Sequence, residues 1–348
     1  MPARSDSVAV GRRVLGRTGL AISEIGFGCG PTAGLIAAGQ RDAQRAAVQR
    51  ALELGIDYFD TAPVYAAGES ERNLGAVLHD LKATPRVATK VALERADFGD
   101  IRGAILRSVE GSLARLKLPR VAVLHLHNRV ATERAAKAEF GSGAQLRVDD
   151  VLGARGVAET FASLRDQGVV DFFGCSAYGG DMAAVAQVVD SGAFDCLQVH
   201  YSVLNTSAWE PAPAAGRLRD YHGIAARAAA AGLGVIALRV LEAGLLTDRP
   251  PGAQRVRADG EASAVERDSL AALLGGESLG DVALRFALAR PETTTALVGF
   301  SSVAQVEEAV ASVIKGALSP SLRSRIETWR AETLGEPSNR WKRELGDT

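Results

Sequence analysis

The sequence predicts a single (β/α)₈ barrel over residues 1–348, and three observations carry that expectation. Short apolar runs alternate with helix-period segments along nearly the whole chain, eight times in order. No composition break marks a linker between two domains. Polar side chains fall at the ends of three successive apolar runs, where a barrel of parallel strands places its chemistry.

The elements follow in order. Residues 13–15, the turn Gly16-Arg17-Thr18-Gly19 and residues 20–23 read as an opening hairpin, before a buried strand at Ile25–Gly28. Residues 41–54 are Ala/Leu/Arg-rich and stop at Gly55, as a helix with a glycine cap does. A strand at 58–62, a helix over Glu69–Leu81, a strand over Arg86–Val91, a helix at 101–117 halted before Pro119 and a strand at 121–127 come next. Residues 128–153 are charged, glycine-bearing and weakly periodic, a long loop or a small insertion at the mouth. Helix 157–167, strand 169–176, helix 182–191, strand 196–201, a second long loop at 205–221, helix 224–231 and strand 235–238 continue the alternation. Helix 279–290, strand 295–299 and helix 304–313 complete the eight units; an extra helix at 322–334 and a polar tail lie outside them. A doubly wound open sheet would carry G-x-G-x-x-G after its first strand. Here Gly26, Gly28 and Gly30 run into Pro31-Thr32-Ala33, so that fingerprint fails at its third glycine.

Composition narrows the function. The 348 residues are 47% hydrophobic and 23% charged, with 40 Lys plus Arg against 41 Asp plus Glu and a net charge of -1, so nucleic acid is not the expected partner. Cys29, Cys175 and Cys196 are an odd set without CxxC or CxH spacing, which implies neither a disulfide framework nor a zinc site and fits the cytoplasm. The start of the chain lacks a secretory apolar run, and no stretch approaches the ~20 apolar residues of a membrane span. Only six of the 40 basic residues are lysines, so Lys90, at the end of an apolar strand, stands out.

Strand two ends at Asp60-Thr61-Ala62 with Tyr65 just beyond, strand three at Lys90 and strand four at His125-Leu126-His127. Each has a bland reading alone: a turn-capping Asp, a snorkelling Lys, a satisfied core His, a rim Tyr. Together at one mouth they permit specific chemistry. A nearby ammonium favours the phenolate of a tyrosine, whose pKa is ~10 in water, so Lys90 is expected to lower the pKa of Tyr65. Asp60 would hold Lys90 charged and oriented, and His127 would donate to a substrate oxygen. No side chain supplies a hydride, so redox chemistry would need a nicotinamide cofactor.

The segment Asp60-Thr61-Ala62-Pro63-Val64-Tyr65-Ala66-Ala67-Gly68-Glu69-Ser70-Glu71, followed by Asn73-Leu74-Gly75, resembles the signature of the aldo-keto reductase family, with further likeness at residues 15–20, at Gly174-Cys175-Ser176 and at residues 298–302. The resemblance implies a (β/α)₈ barrel using NADPH or NADH, with Asp60, Tyr65, Lys90 and His127 as its catalytic tetrad. Within the family the wording is similar to the branch of aldose 1-dehydrogenases and a pyridoxal dehydrogenase, which implies oxidation of a cyclic hemiacetal by NAD or NADP. By the same resemblance Ser176 and Gln198 would hold the nicotinamide carboxamide, although Ala177 stands where many relatives have Asn. Leu238, followed by Arg239, stands where a tyrosine commonly stacks on the nicotinamide. Gly244-Leu245-Leu246 would pass the diphosphate by its backbone amides, and Gly299, Phe300, Ser301, Ser302, Gln305 and Glu308 would meet the adenosine half. Neither Phe300 nor Gln305 is the cation that NADP-specific relatives carry there, which favours NAD. Ser302 reads equally well as a helix cap.

Two rivals from other classes remain open. His125 and His127 form an HxH pair such as metal-dependent barrel hydrolases use, though the only other strand histidine is His200 and no metal is expected. A nucleotide-binding barrel that acts as a sensor or partner subunit would keep the same tetrad. Trp209 either lines the 205–221 loop or packs on the rim.

Overall fold

A computed structural model describes residues 9–134, 142–210, 218–248 and 264–334. Its strands are β1 (Arg12–Val14), β2 (Ala21–Ser23), β3 (Ile25–Gly28), β4 (Tyr58–Asp60), β5 (Arg86–Val91), β6 (Val121–Leu126), β7 (Val170–Ser176), β8 (Cys196–His200), β9 (Gly234–Leu238) and β10 (Thr293–Gly299). Its helices are α1 (Leu35–Ala38), α2 (Arg41–Glu53), α3 (Glu69–Leu81), α4 (Ile101–Leu116), α5 (Val148–Leu152), α6 (Val157–Asp166), α7 (Met182–Asp190), α8 (Ile224–Ala230), α9 (Ala264–Leu274), α10 (Leu279–Leu288), α11 (Val303–Val313) and α12 (Pro320–Thr333). Strands β3 to β10 close into a parallel barrel in chain order, with β10 pairing back to β3. The (β/α)₈ expectation is met, as is the hairpin, in which Arg12 pairs with Ser23 and Val14 with Ala21.

Side chains alternate along a strand, so each barrel strand sends every second residue to the axis. The lowest inward layer is apolar: Tyr58, Ala88, Val123, Cys196, Ile236 and Leu297 form one buried cluster with Leu15 and Ile22 of the hairpin. Two residues further along, the same rows carry Asp60, Lys90, His125 and Gln198. The change from apolar to polar along each row makes one end a plug and the other a mouth. The outward rows meet the helices in a much larger apolar core that includes Phe27, Phe59, Val87, Leu124, Phe173 and Val199.

The hairpin seals the lower end by hydrogen bonds as well as packing. Arg13 donates to Glu24 Oε1 at 2.7 Å and to the carbonyls of Leu288, Arg290 and Thr293, each at 2.8 Å. Gly16, at φ 52°, lies so close to β9 that a Cβ there would stand 2.2 Å from the Gly234 nitrogen. Only glycine combines that conformation with that approach.

Helices α1, α5 and α9 were not expected. The first two span four and five residues, too short for a periodic signal, and α9 buries only Leu270 and Leu274 along its length. The described residues of 128–153 are organised as a small insertion and not as an open loop. Asn128 accepts from the Leu93 N–H and donates to the Leu93 and Ala144 carbonyls, all at 2.8 Å, and Val130 bridges Leu146. In the 205–221 segment Asn205 and Ser207 both donate to the Arg219 carbonyl, and buried Trp209 packs edge-on to Tyr201 at 6.2 Å, so it belongs to the rim. Residues 135–141 and 211–217 of these loops, and the polar tail from 335, lie outside the described residues. Among the described residues no helix is long and apolar enough to cross a membrane.

Candidate active site

Asp60 closes β4, Lys90 lies near the end of β5 and His127 follows β6, so three consecutive strands deliver these side chains to the mouth. Tyr65 arrives differently. After Pro63 the chain enters a tight turn over Tyr65–Gly68, in which Ala66 and Ala67 hold φ of 50° and 52°. That left-handed pair costs conformational energy in non-glycine residues, and it turns the chain directly into α3.

Lys90 Nζ forms a salt bridge with Asp60 Oδ1 and donates to the Thr61 carbonyl at 2.9 Å. It also stands 5.0 Å from the centre of the Tyr65 ring, whose edge meets His127 at 5.8 Å between centroids. Asp60 and Lys90 are buried, at 3% and 2% exposure, while Tyr65 and His127 keep partial access to solvent. The proton-bearing groups therefore sit above a dry ion pair.

The start of α3 braces this group. Ser70 donates to the Cys29 carbonyl and bonds Thr61 Oγ1, each at 2.8 Å. Glu71, fully buried, accepts from Thr89 at 2.5 Å and from Arg115 at 2.6 Å. The Gly68-Glu69-Ser70-Glu71 wording thus ties α3 to the residues flanking Asp60 and Lys90.

Burial pulls Lys90 down, but Asp60 and then Tyr65 outweigh it, and its ammonium is held above the usual lysine value. Burial pushes His127 down to about 3, with Lys90 adding to the effect, so the imidazole is neutral and carries one ring proton. Its Nδ1 is buried without a hydrogen-bond partner in the protein. For Tyr65 the expectation from sequence needs correction. Burial raises the phenol above its ordinary value, and the opposing pull of Lys90 offsets only part of that rise. The cation still tunes the phenol, from a higher starting point than water gives. Burial likewise raises the Cys29 thiol, so it is no nucleophile at neutral pH.

Ser176 and Gln198 face each other in register on β7 and β8. Ser176 Oγ accepts from the Tyr178 N–H at 3.3 Å, and Gln198 Nε2 donates to Asp60 Oδ2 at 2.6 Å. The Ser176 hydroxyl beside the Gln198 amide, whose NH₂ is held by Asp60 and whose oxygen is not, offers a donor and an acceptor that suit a carboxamide, so these residues fit a nicotinamide. Leu238 is half-buried at the end of β9. No aromatic stands there, but Tyr178 brings a ring to the same mouth, covered at 4.9 Å by the Arg239 guanidinium. Its signal was an aromatic two residues beyond a strand end.

Other expected contacts are corrected. The N–H groups of Gly244, Leu245 and Leu246 donate to the carbonyls of Leu241 and Glu242, so these amides are spent within the loop and Leu245 is buried in the core. Phe300 is buried with its ring 4.9 Å from Phe27, which leaves only its backbone for a ligand. Gln305 folds back to accept from the Ser301 N–H at 2.7 Å and hydroxyl at 2.9 Å, and Ser302 caps α11. Gly299, Ser301 and Glu308 are exposed at this end of the barrel.

Sequence reading missed a second buried polar group. His200 bonds Glu242 Oε1 at 2.7 Å, Ser202 donates to the same oxygen, and the Tyr221 hydroxyl lies 3.5 Å from His200 Nδ1. Arg239, Glu242 and Ala243 hold φ of 55°, 47° and 56° in the loop above it. His125 and His127 project from one row at two depths, and among the described residues no group of three or more His, Cys, Asp and Glu side chains is placed to hold a metal.

Comparison with known proteins agrees with this architecture. The Aldo/keto reductase family model matches residues 24–329. L-galactose dehydrogenase of Arabidopsis thaliana is 32% identical over 311 residues, 86% of this chain and 87% of its own. Pyridoxal 4-dehydrogenase of Microbacterium luteolum is 26% identical over 335 residues, 86% and 92% of the two chains. The holo form of an aldo-keto reductase from Bacillus halodurans superposes with a TM-score of 0.70 at 23% identity, covering 92% of this chain and 96% of that one, and it shares the fold. A family match that spans the whole barrel, together with the plant dehydrogenase alignment, shows that the chain is an oxidoreductase of the aldo/keto reductase family, whose members use NAD(P)H.

Proposed function

We propose that this protein oxidises the hemiacetal carbon of a small sugar or sugar-like aldehyde, or reduces the corresponding carbonyl, with Tyr65 as the proton-transfer group. One observation carries the reading: a partly exposed phenol stands over a buried ammonium and against a neutral imidazole at the barrel mouth. In the oxidative direction Tyr65 takes the hydroxyl proton of the substrate, and Lys90 stabilises the phenolate that must be present beforehand. Asp60 holds Lys90 in place. His127 donates its single ring proton to the reacting oxygen and so fixes the carbon relative to Tyr65. A bound nicotinamide would supply or accept the hydride. Names of relatives support the substrate class, since one is a dehydrogenase of L-galactose and another of pyridoxal.

Ser176 and Gln198 hold the carboxamide in this reading, with Leu238 and Arg239 at the nicotinamide end. Gly299, Ser301, Ser302 and Glu308 border the adenosine half. NAD is favoured over NADP because the ring of Phe300 is buried and Gln305 is turned to Ser301, which leaves neither position a cation for a 2′-phosphate. The chain acts as one domain, and its three unpaired, buried cysteines support a cytoplasmic location.

The test is a screen of cofactor reduction with L-galactose, other aldoses, pyridoxal and simple aldehydes, using NAD and NADP with the wild type and Tyr65→Phe. Turnover with a higher kcat/KM for NAD, reduced about 10²- to 10⁴-fold in the variant while cofactor still binds, is the expected result. Near wild-type turnover by Tyr65→Phe removes the tyrosine from its role. Cofactor binding without turnover on any substrate would place the protein among nucleotide sensors.

A further inference from the structure

Strand β3 and the residues after it carry glycines at alternate positions, Gly26, Gly28 and Gly30, and they are not there for one reason. A Cβ at Gly26 would stand 2.4 Å from Leu297 Cδ2 and 3.1 Å from Tyr58 Cδ1, inside the apolar plug. A Cβ at Gly28 would stand 3.2 Å from the Val298 carbonyl oxygen on the neighbouring strand β10. Packing opposes a side chain at both. At Gly30 neither packing nor conformation does. Its φ lies outside the left-handed region, so an L-residue can adopt it. Among the described residues, a Cβ there would meet within 4 Å two atoms alone, Tyr65 Cε2 at 3.7 Å and Tyr65 Cζ at 3.8 Å, both ordinary contacts.

The chain is held firmly at this point. The Cys29 N–H donates to the Asp60 carbonyl at 2.8 Å, and Ser70 Oγ donates to the Cys29 carbonyl at 2.8 Å, which ties the preceding residue to the end of β4 and to α3. Pro31 stiffens the chain on the other side. A side chain at position 30 therefore could not swing away from the phenol. It would cover the edge that leads to Cζ, the carbon bearing the Tyr65 hydroxyl. His127 and Lys90 already stand 5.8 Å and 5.0 Å from the centre of that ring, so such a side chain would add a further wall. Glycine costs more chain entropy on folding than any other residue, and one that neither packing nor backbone requires points to space kept for a ligand.

We propose that Gly30 is a specificity-determining residue: the side-chain-free space beside Tyr65 Cζ admits a substrate whose reacting carbon lies within a ring, a cyclic hemiacetal. This rests on the reading of Tyr65 as the proton-transfer group. A substrate oxygen that meets the phenol hydroxyl brings its own carbon, and the neighbours of that carbon, beside Cζ. In an open-chain aldehyde one of those neighbours is a hydrogen. In a ring hemiacetal the ring oxygen and the next carbon both need room, and they take the volume that a side chain at 30 would fill.

The experiment compares kcat/KM for oxidation of L-galactose with kcat/KM for reduction of glyceraldehyde, which is too short to close a sugar ring, in wild type, Gly30→Ala and Gly30→Leu. Wild type is expected to turn over both. Gly30→Ala should lower the L-galactose value several-fold and Gly30→Leu by about 10- to 200-fold, while the glyceraldehyde value changes by less than about threefold. Because glycine is not needed there for packing or conformation, Gly30→Ala should melt at or above the wild-type temperature and bind NAD, by calorimetry, within about twofold of wild type. An equal fall for the two substrates or an unchanged L-galactose value in Gly30→Leu overturns the proposal. A lower melting temperature in Gly30→Ala makes the glycine structural, and weakened NAD binding in that variant gives the space to the cofactor; either result overturns it as well. Turnover of glyceraldehyde by a wild type that accepts no aldose overturns the proposal alone, whereas full turnover by Tyr65→Phe overturns the tyrosine reading on which it rests. No turnover of any substrate overturns both.

Discussion

The two ends of the barrel are built from the same strands and solve opposite problems. At the lower end Leu15 and Ile22 of the hairpin join Tyr58, Ala88, Val123, Cys196, Ile236 and Leu297 in a dry apolar plug. Turns between helices and strands there enter the left-handed region at Gly55, Gly168 and Gly192 and also at Lys82 and Lys117. At the mouth the same inward rows carry a buried ion pair, two neutral imidazoles and an amide, and the tight turns put Ala66, Ala67, Arg239, Glu242 and Ala243 at positive φ without a glycine's freedom. The plug contributes stability through area removed from water, whereas the mouth places desolvated charge where a reaction would use it. Damage at the plug should therefore be felt as lost stability alone, and damage at the mouth as lost rate as well.

The largest effect that sharpens this contrast is expected at Lys90. Lys90→Met leaves Asp60 buried without its cation, so turnover should fall by about 10²-fold or more and stability by roughly 3–5 kcal/mol. Adding Asp60→Asn should restore much of the stability and none of the rate. Because Lys90 pulls the raised Tyr65 back down, its removal raises the phenol further, and the alkaline limb of the oxidative rate moves to higher pH. A profile parallel to wild type and merely displaced downward would reduce Lys90 to a positioning group.

At the other end, Leu15→Ala removes a side chain that is 0% exposed and should cost about 2–5 kcal/mol in denaturant unfolding, with kcat unchanged. A loss of kcat at full occupancy would break the division between plug and mouth.

Acid provides a smaller, graded test. His127 takes its proton at about 3 in the folded protein against 6.5 ordinarily, so between those values the unfolded chain binds a proton that the mouth refuses. Stability from this group is complete above pH ~6.5 and is lost as pH falls towards ~3. His125 acts in the same direction. Melting curves across this range should show His127→Gln losing less stability than wild type. Equal losses would mean that the carboxylates alone set the acid limb.

The smallest effect is expected from Ala67→Gly. Relief of a left-handed alanine, at φ 52°, is opposed by the extra freedom of glycine in the unfolded chain, so stability should change by less than ~1 kcal/mol. A larger gain would show that the turn carrying Tyr65 is more strained than its dihedral angles indicate.

Much of the mouth was legible because alternation along a strand is a local rule. Asp60, Lys90 and His127 could be assigned to one end from their places in three apolar runs, and the α3 motif marked what braces them. The adenosine end was misread at Phe300, Gln305 and Gly244 to Leu246, because a residue's position beyond a strand does not say whether its ring turns into the core or its amide is already bonded. His200 and Glu242 are 42 residues apart in sequence and Gln198 and Asp60 are 138 apart, so no window on the chain could pair them.

The sequence by itself determined the eight repeated units, the closed sheet and the set of groups at the mouth, since periodicity and strand alternation act between near neighbours. The tertiary structure alone decided which partner each group meets, and with it the charge state of the site. Closure of the barrel buries Tyr65 far enough to raise a phenol that its cation was expected to lower, and it strips water from His127 until the ring is neutral. Desolvation depends on every atom that surrounds a group, and those atoms come from strands far apart in the chain.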